Sequence, residues 1–273
     1  MRNWLTVTIP VALLLLWAAL SIGANYLPLT PDEIQLEAIL TGPASDAVLG
    51  HDDLGRDILD RMIVGARTSF LVSVWVVGLS LLAGTLIGTA SAYHGGWWDR
   101  LTVLLVDVFL AFPGILLAIA LAGLLGPGID NVVIALTIVG WVGYARLSRA
   151  QVLSLKHREH VQAAEALGTG KWAIMRKHLL PLMAAPLIVE ATFGIAAVVI
   201  AEAGLSFLGL GVQPPEASWG AMIRDGTRYM LVAPHMVLAP GVALFAVVMS
   251  VNLLGDRLRD RLDIRLSGSS NRV

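Results

Sequence analysis

The stretch from His160 to Pro181, HVQAAEALGTGKWAIMRKHLLP, decides how the rest of the chain is read. It is polar and cationic, with Arg158, Lys171, Arg176 and Lys177 in or beside it, and long apolar runs lie on either side. Val161, Ala164 and Leu167 recur at helical spacing, Gly168 and Gly170 interrupt the pattern, and Pro181 follows. This spacing predicts two short helices, Glu159 to Leu167 and Lys171 to Leu180, joined by a glycine turn. The second is expected to stop before Pro181, because the residue preceding a proline is disfavoured in the helical region.

Outward from this island the chain is oily. Of 273 residues, 56% are hydrophobic and 14% charged, against about 25% charged in an average soluble domain. The mean hydropathy is +0.75. This is the composition of an all-α protein that crosses a membrane several times, in contact with lipid. A net charge of −1 supplies no positive field to meet nucleic acid. The absence of cysteine excludes disulfides, thiolate nucleophiles and Cys-ligated metals.

Six apolar runs are read as membrane spans: Leu5 to Ala24, Ser69 to Ala92, Leu101 to Leu125, a fourth starting at Val132, Leu182 to Gly204, and Met236 to Leu254. The first approaches the roughly 20 residues that cross a bilayer. A signal-peptide core is usually about 7–15 residues, so an uncleaved span is expected. Gly84 and Gly88 form a small-xxx-small pair of the kind that lets membrane helices approach closely. With the N-terminus inside, Arg2, Arg100, the basic residues from Arg146 to Lys177 and those from Arg257 to Arg272 share one side. Arg56, Arg61, Arg67, Arg224 and Arg228 take the other. Cytoplasmic loops carry the Lys and Arg excess, so both termini and the island are expected to be cytoplasmic.

No enzyme site is legible. Gly168-Thr169-Gly170-Lys171 imitates the end of a phosphate loop, but Trp172 stands where the magnesium-binding hydroxyl belongs and Glu165 where the first glycine belongs. No G-x-S-x-G and no H-E-x-x-H occurs, and the six histidines are expected to hold no metal. Asp107, Glu190 and Glu202 lie inside predicted spans. Ionisable groups at that depth usually face a bundle interior or a wet cavity, which makes the three candidates for lining a translocation path. The alternative is a carboxylate bonded to a neighbouring helix. A carrier driven by an ion gradient through these groups is the rival of another class.

Four segments, in order, carry a family resemblance. Gln162-Ala163-Ala164, Gly168 and His178-Leu179-Leu180-Pro181 resemble the EAA loop of type-1 ABC importer permeases, with Gln162 for Glu and His178 for Ile. Leu49 to Asp57, LGHDDLGRD, resembles a segment of the dipeptide, oligopeptide and nickel branch, with His51 for Thr. Ser206 to Pro215 with Ser218-Trp219-Gly220 resembles its SFLGLGVQPP…SWG segment, and Gly255 to Asp260 its GDxLRD ending. The resemblance implies a six-span type-1 permease of the bacterial cytoplasmic (inner) membrane. It would form half of a path for di- or oligopeptides, or alternatively for nickel or a metal chelate. Implied regions are 1–68 (first span and external segment), 69–256 (permease core, coupling loop 150–181) and 257–273 (cytoplasmic tail). Implied partners are a homologous permease, two ATPase subunits that hold ATP and magnesium, and an external solute-binding protein. This chain itself would bind no cofactor. The resemblance makes Gln162, Ala163, Ala164, Gly168, Leu180 and Pro181 the ATPase-coupling set. Asp53, Gly55, Arg56, Asp57, Phe207 and Leu208 become the external, receptor-facing candidates. The apolar SFLGLG run is too short to span; it is expected to dip back as a re-entrant element and pack over the path or against a receptor protein, the alternative being a surface loop with Phe207 and Leu208 against the fifth span.

Overall fold

The computed structural model describes residues 2–45 and 47–270; Arg272, counted above, lies outside them. Among the described residues there is no strand, only an isolated antiparallel bridge between His51 and Asp57. Ten α-helices follow one another: α1 (Arg2–Gly23), α2 (Ile58–His94), α3 (Gly96–Leu110), α4 (Gly114–Leu125), α5 (Ile129–Leu155), α6 (Glu159–Ala166), α7 (Lys171–Ile174), α8 (Leu180–Phe207), α9 (Trp219–Thr227) and α10 (His235–Ser270). Among the described residues, five helical stretches are long and apolar enough to cross a bilayer: Val7–Tyr26, Ile58–His94, Ile129–Leu155, Lys171–Phe207 and His235–Leu262. The pair α3 and α4 makes a sixth if counted as one span, but it is bent by 88°. The expected third span, Leu101 to Leu125, is bent at Pro113, which lacks an amide donor and biases Phe112 away from the helix.

Two further expectations are corrected. Helix α2 begins at Ile58, eleven residues before the predicted start, because Asp57 caps it. Its Oδ1 accepts from Leu59 N (2.7 Å) and Asp60 N (3.1 Å), the bonds that satisfy orphan amides of a first turn. Nor does the helix after the glycine turn stop at Pro181. A π turn over Met175–Leu179 joins α7 to α8. Leu180 keeps helical dihedrals (φ −55°, ψ −43°) and donates five residues back to Met175 O. The wider turn accommodates the proline ring, an adjustment membrane helices use to re-satisfy backbone freed by proline.

The chain packs as two compact units. The first comprises Met1–Trp75, Ala118–Leu136 and Ile195–Leu254; the second Val76–Leu117, Thr137–Gly194 and Gly255–Val273. The first is built on a pair of tryptophans. Trp17 and Trp219 lie 6.4 Å apart, with Phe70 edge-on to Trp17. Both indole N–H groups donate to α2 carbonyls, Trp17 to Ala66 O (3.1 Å) and Trp219 to Met62 O (3.0 Å). A buried indole needs such a partner. In the second unit, Val106, Val142 and Ala145 are buried together, with Phe109 edge-on to Trp141. The Gly84/Gly88 expectation holds: a Cβ at either would run into the α5 backbone at Trp141 or Ala145.

Candidate functional site

In the second unit the glycine turn of the island is a helix cap. Gly168 N donates to Glu165 O (2.9 Å) and Thr169 N to Ala164 O (3.0 Å), with Gly168 at φ +79°. This is the paired bonding of a Schellman cap, which favours glycine at the left-handed position. The structure sorts the six predicted coupling residues. Gln162, Ala163, Gly168 and Pro181 are exposed, Leu180 is half-buried, and Ala164 is buried with Val161 in its own unit. Leu167 was expected on the apolar face of α6, yet it is 86% exposed. The helix ends at Ala166, and Leu167 has already left helical geometry (ψ 4°). Trp172, across the turn, is 61% exposed. Sequence reasoning missed these two as surface residues; an apolar pair bracketing a Gly-x-Gly in a cationic loop was the available signal.

The helices leading into this loop are tied together. Arg149 grips Asp99 with two parallel bonds, Nε to Oδ1 (2.7 Å) and Nη2 to Oδ2 (2.8 Å). Lys156 Nζ reaches Ala92 O (3.2 Å) at the end of α2. This joins the end of α2, the start of α3 and the end of α5. Asp99→Ala is expected to cost about 1 kcal/mol, typical of a partly exposed pair, while the exchange Asp99→Arg with Arg149→Asp recovers most of it. Thermal unfolding of the four variants in a double-mutant cycle checks this.

Of the predicted path carboxylates, Asp107 and Glu190 are exposed in their unit. Glu190 Oε1 lies beside α5, 3.6 Å from where a Cβ would stand on Gly143. Glu202 behaves differently. It is 0% exposed, and both oxygens accept from serines of the first unit, Ser69 Oγ at 2.9 Å and Ser206 Oγ at 2.8 Å. This is the geometry of the helix-bonded alternative.

The LGHDDLGRD segment folds inward as a clasp. Asp52 Oδ1 accepts from Leu54 N (2.9 Å) and Arg56 N (3.0 Å), while Oδ2 takes Arg56 Nε at 2.7 Å and faces Arg61 Nε at 3.6 Å. Arg61 Nη1 in turn donates to Pro31 O (3.1 Å) and Asp32 Oδ1 (3.2 Å). Gly55 sits at φ +73° against the Gln35 backbone, where any Cβ would collide. Asp52, Arg56 and Arg61 are all buried. Gly55 and Arg56 are thus corrected from receptor-facing to internal, and Asp57 is occupied in capping α2. Asp53 is half-buried, with Oδ1 unbonded and 3.8 Å from Arg56 Nη2. Burial first, then the neighbouring Asp52 charge, raises its carboxyl above the ordinary value of 3.8. A raised acid pKa means the folded state binds the proton more tightly, so stability is lost as pH rises through the folded pKa. Asp53→Asn is expected to raise the neutral-pH unfolding midpoint by about 1–3 °C. The gain should vanish as pH falls toward 3.8, which thermal scans across pH would show.

The SFLGLG run is also corrected. It is the end of α8 and its cap, with Gly209 N to Ser206 O (3.0 Å) and Leu210 N to Leu205 O (2.9 Å), Gly209 at φ +82°. Leu205 and Ser206 are buried, and Phe207 and Leu208 are exposed. The short element that follows is α9. Ser218 caps it by accepting from Ala221 N at 3.2 Å, Trp219 is buried, and Gly220 packs against the Ala203 backbone.

Known proteins bear on this geometry. The family described as binding-protein-dependent transport system inner membrane component matches residues 80–268. The glutathione transport system permease protein GsiD of Escherichia coli O1:K1 / APEC is 40% identical over 260 residues, 95% of this chain and 84% of that protein. GsiD of Pectobacterium atrosepticum is 40% identical over 254 residues, 92% and 84% respectively. Among solved structures, an inward-facing form of the MetNI methionine ABC transporter superposes with a TM-score of 0.57 at 19% identity, covering 72% of this chain and 94% of that one. A second crystal form gives 0.54 at 20%, covering 71% and 90%. The chain has the type-1 ABC importer permease fold, and it belongs to the binding-protein-dependent transport system inner membrane component family as a multi-pass inner-membrane permease.

Proposed function

We propose that the chain forms half of the translocation path of an ATP-driven importer of small peptides, with a homologous permease as the other half. Two ATPase subunits on the cytoplasmic side bind and hydrolyse ATP, and a solute-binding protein delivers cargo outside. Glutathione, named in the relatives, is the first cargo to try. The island 159–181 is the cytoplasmic element an ATPase subunit grips, and both termini share its side, following the Lys and Arg distribution. The observation that carries this reading is the exposed Leu167 and Trp172 on either side of the capped glycine turn. Two large apolar side chains standing out of a cationic loop are buried when a partner covers them. The surrounding Gln162, Ala163 and Gly168 are small or polar enough to let it close in. Asp107 and Glu190 remain the path-facing carboxylates, and Phe207 and Leu208 the receptor-facing pair. Closure of the ATPase pair would move the loop, and α5 and α8 with it, as a rigid-body lever.

The chain has no cysteine, so one introduced at Leu167 is a unique reporter. Leu167→Cys should crosslink to a co-expressed ATPase subunit and resist a membrane-impermeant maleimide added outside intact cells. Labelling from outside would overturn the orientation, and uptake by the purified chain alone in vesicles would overturn the division of labour.

A further inference from the structure

A cavity of about 380 Å3 opens in the first unit, between the early turns of α2, the first turns of α5 and the loop ahead of α9. Its volume lies in the range of small-ligand sites. Three charged residues line it: Arg67, Asp130 and Glu216. They do not neutralise one another. Among the described residues, Arg67 gives one N–H to Asn25 Oδ1 at 2.6 Å and has no carboxylate within ion-pair distance. Among the described residues, the exposed carboxylates of Asp130 and Glu216 have neither a side-chain hydrogen bond nor an ion pair. The cavity thus holds one cation and two anions apart, all with free valence.

Beneath the charges the wall is apolar. Leu71 and Trp75 follow Arg67 at four-residue steps on α2, and Val133 follows Asp130 on α5; all three line the cavity. Residues four apart share a helix face, so the strip descends about 12 Å from Arg67 to Trp75. Asp130 stands in the first turn of a spanning helix, which sets the charged mouth near the water–hydrocarbon boundary and the strip inside it. Charges of both signs above an apolar strip describe an amphiphile.

We propose that this cavity binds a phospholipid of the phosphatidylethanolamine class. The phosphate meets the free N–H groups of Arg67, the primary ammonium donates to Asp130 and Glu216, and an acyl chain lies along Leu71, Trp75 and Val133. A small amphoteric solute would satisfy the charges but leave the strip uncovered, and this favours the lipid. The headgroup must carry N–H donors, because a carboxylate gains a charge-assisted hydrogen bond from an ammonium and none from a trimethylated nitrogen. Lipid binding here depends neither on ATP coupling nor on which solute is carried.

The test uses the assembled importer, purified in mild detergent and offered phosphatidylethanolamine, phosphatidylcholine or phosphatidylglycerol, with retained lipid counted by native mass spectrometry. Phosphatidylethanolamine should be retained about tenfold over phosphatidylcholine, with phosphatidylglycerol weakest, since its headgroup has no cation for the two carboxylates. Arg67→Gln should lose retention of phosphatidylethanolamine, and Asp130→Asn with Glu216→Gln should erase its advantage over phosphatidylcholine. Equal retention of the two lipids by the unmodified complex overturns the proposal, whatever the variants do. So does retention unchanged in all variants, or displacement of the lipid by a millimolar soluble dipeptide, which would make the cavity a solute site.

Discussion

Gly168→Asp is expected to abolish uptake while the chain still inserts and folds. The space around Gly168 is open, with no atom within 4 Å of an added Cβ, and aspartate is among the few residues that visit the left-handed region at φ +79°. The change strains the turn by about 1–2 kcal/mol but meets no neighbouring atom, so the fold tolerates it. The partner does not, because the new carboxylate lies between Leu167 and Trp172 and must be desolvated when they are covered. An unpaired charge buried at a contact costs about 3–5 kcal/mol, which is 100-fold or more in docking affinity. Gly168→Asn carries the same shape without the charge and should retain much of the transport. Reconstituted uptake and stimulated ATP hydrolysis read both variants. Normal uptake by the aspartate variant would remove the glycine turn from the contact with the ATPase.

Asp52→Ala is expected to be the most destabilising substitution in the clasp, by about 3–5 kcal/mol. Its carboxylate accepts two backbone amides and the Arg56 guanidinium, and it faces Arg61. Asp52, Arg56 and Arg61 are buried. Truncation leaves Arg56 without its closest anion and orphans the Leu54 and Arg56 amides together. Asp52→Asn keeps an oxygen for those amides and should cost visibly less. Denaturant or thermal unfolding of the purified chain measures both. An unchanged midpoint for the alanine variant would show that the segment is held elsewhere, for instance by Asp57 at the start of α2.

Much of this architecture is written in the linear order of residues, and particular elements show why. The spans announce themselves because the bilayer demands long apolar runs with satisfied backbone, so α1, α2, α5, α8 and α10 were legible to within a few turns. The Gly84/Gly88 pair was legible because only small residues let two helix backbones meet. The glycine turn of the island was legible because a left-handed position selects glycine. The family resemblance located the segments that matter, but not the direction in which their side chains point. LGHDDLGRD reads as a glycine turn with local ion pairs, and Asp52 and Arg56 make such a pair; nothing local reveals that Arg61 joins them or that the cluster turns inward.

The sequence by itself determined the class, the spans and the helix-capping glycines, since each rests on a rule that acts within a few residues. Only the tertiary structure decided which charges are spent. It gave Glu202 to two serines, turned the clasp inward, carried α8 back through Pro181 by a π turn, left Leu167 and Trp172 exposed and, among the described residues, left Arg67, Asp130 and Glu216 without an ion pair. Those outcomes depend on partners far away in the chain, and a carboxylate bonded across 133 residues, as Glu202 is to Ser69, has no local pattern from which it can be read.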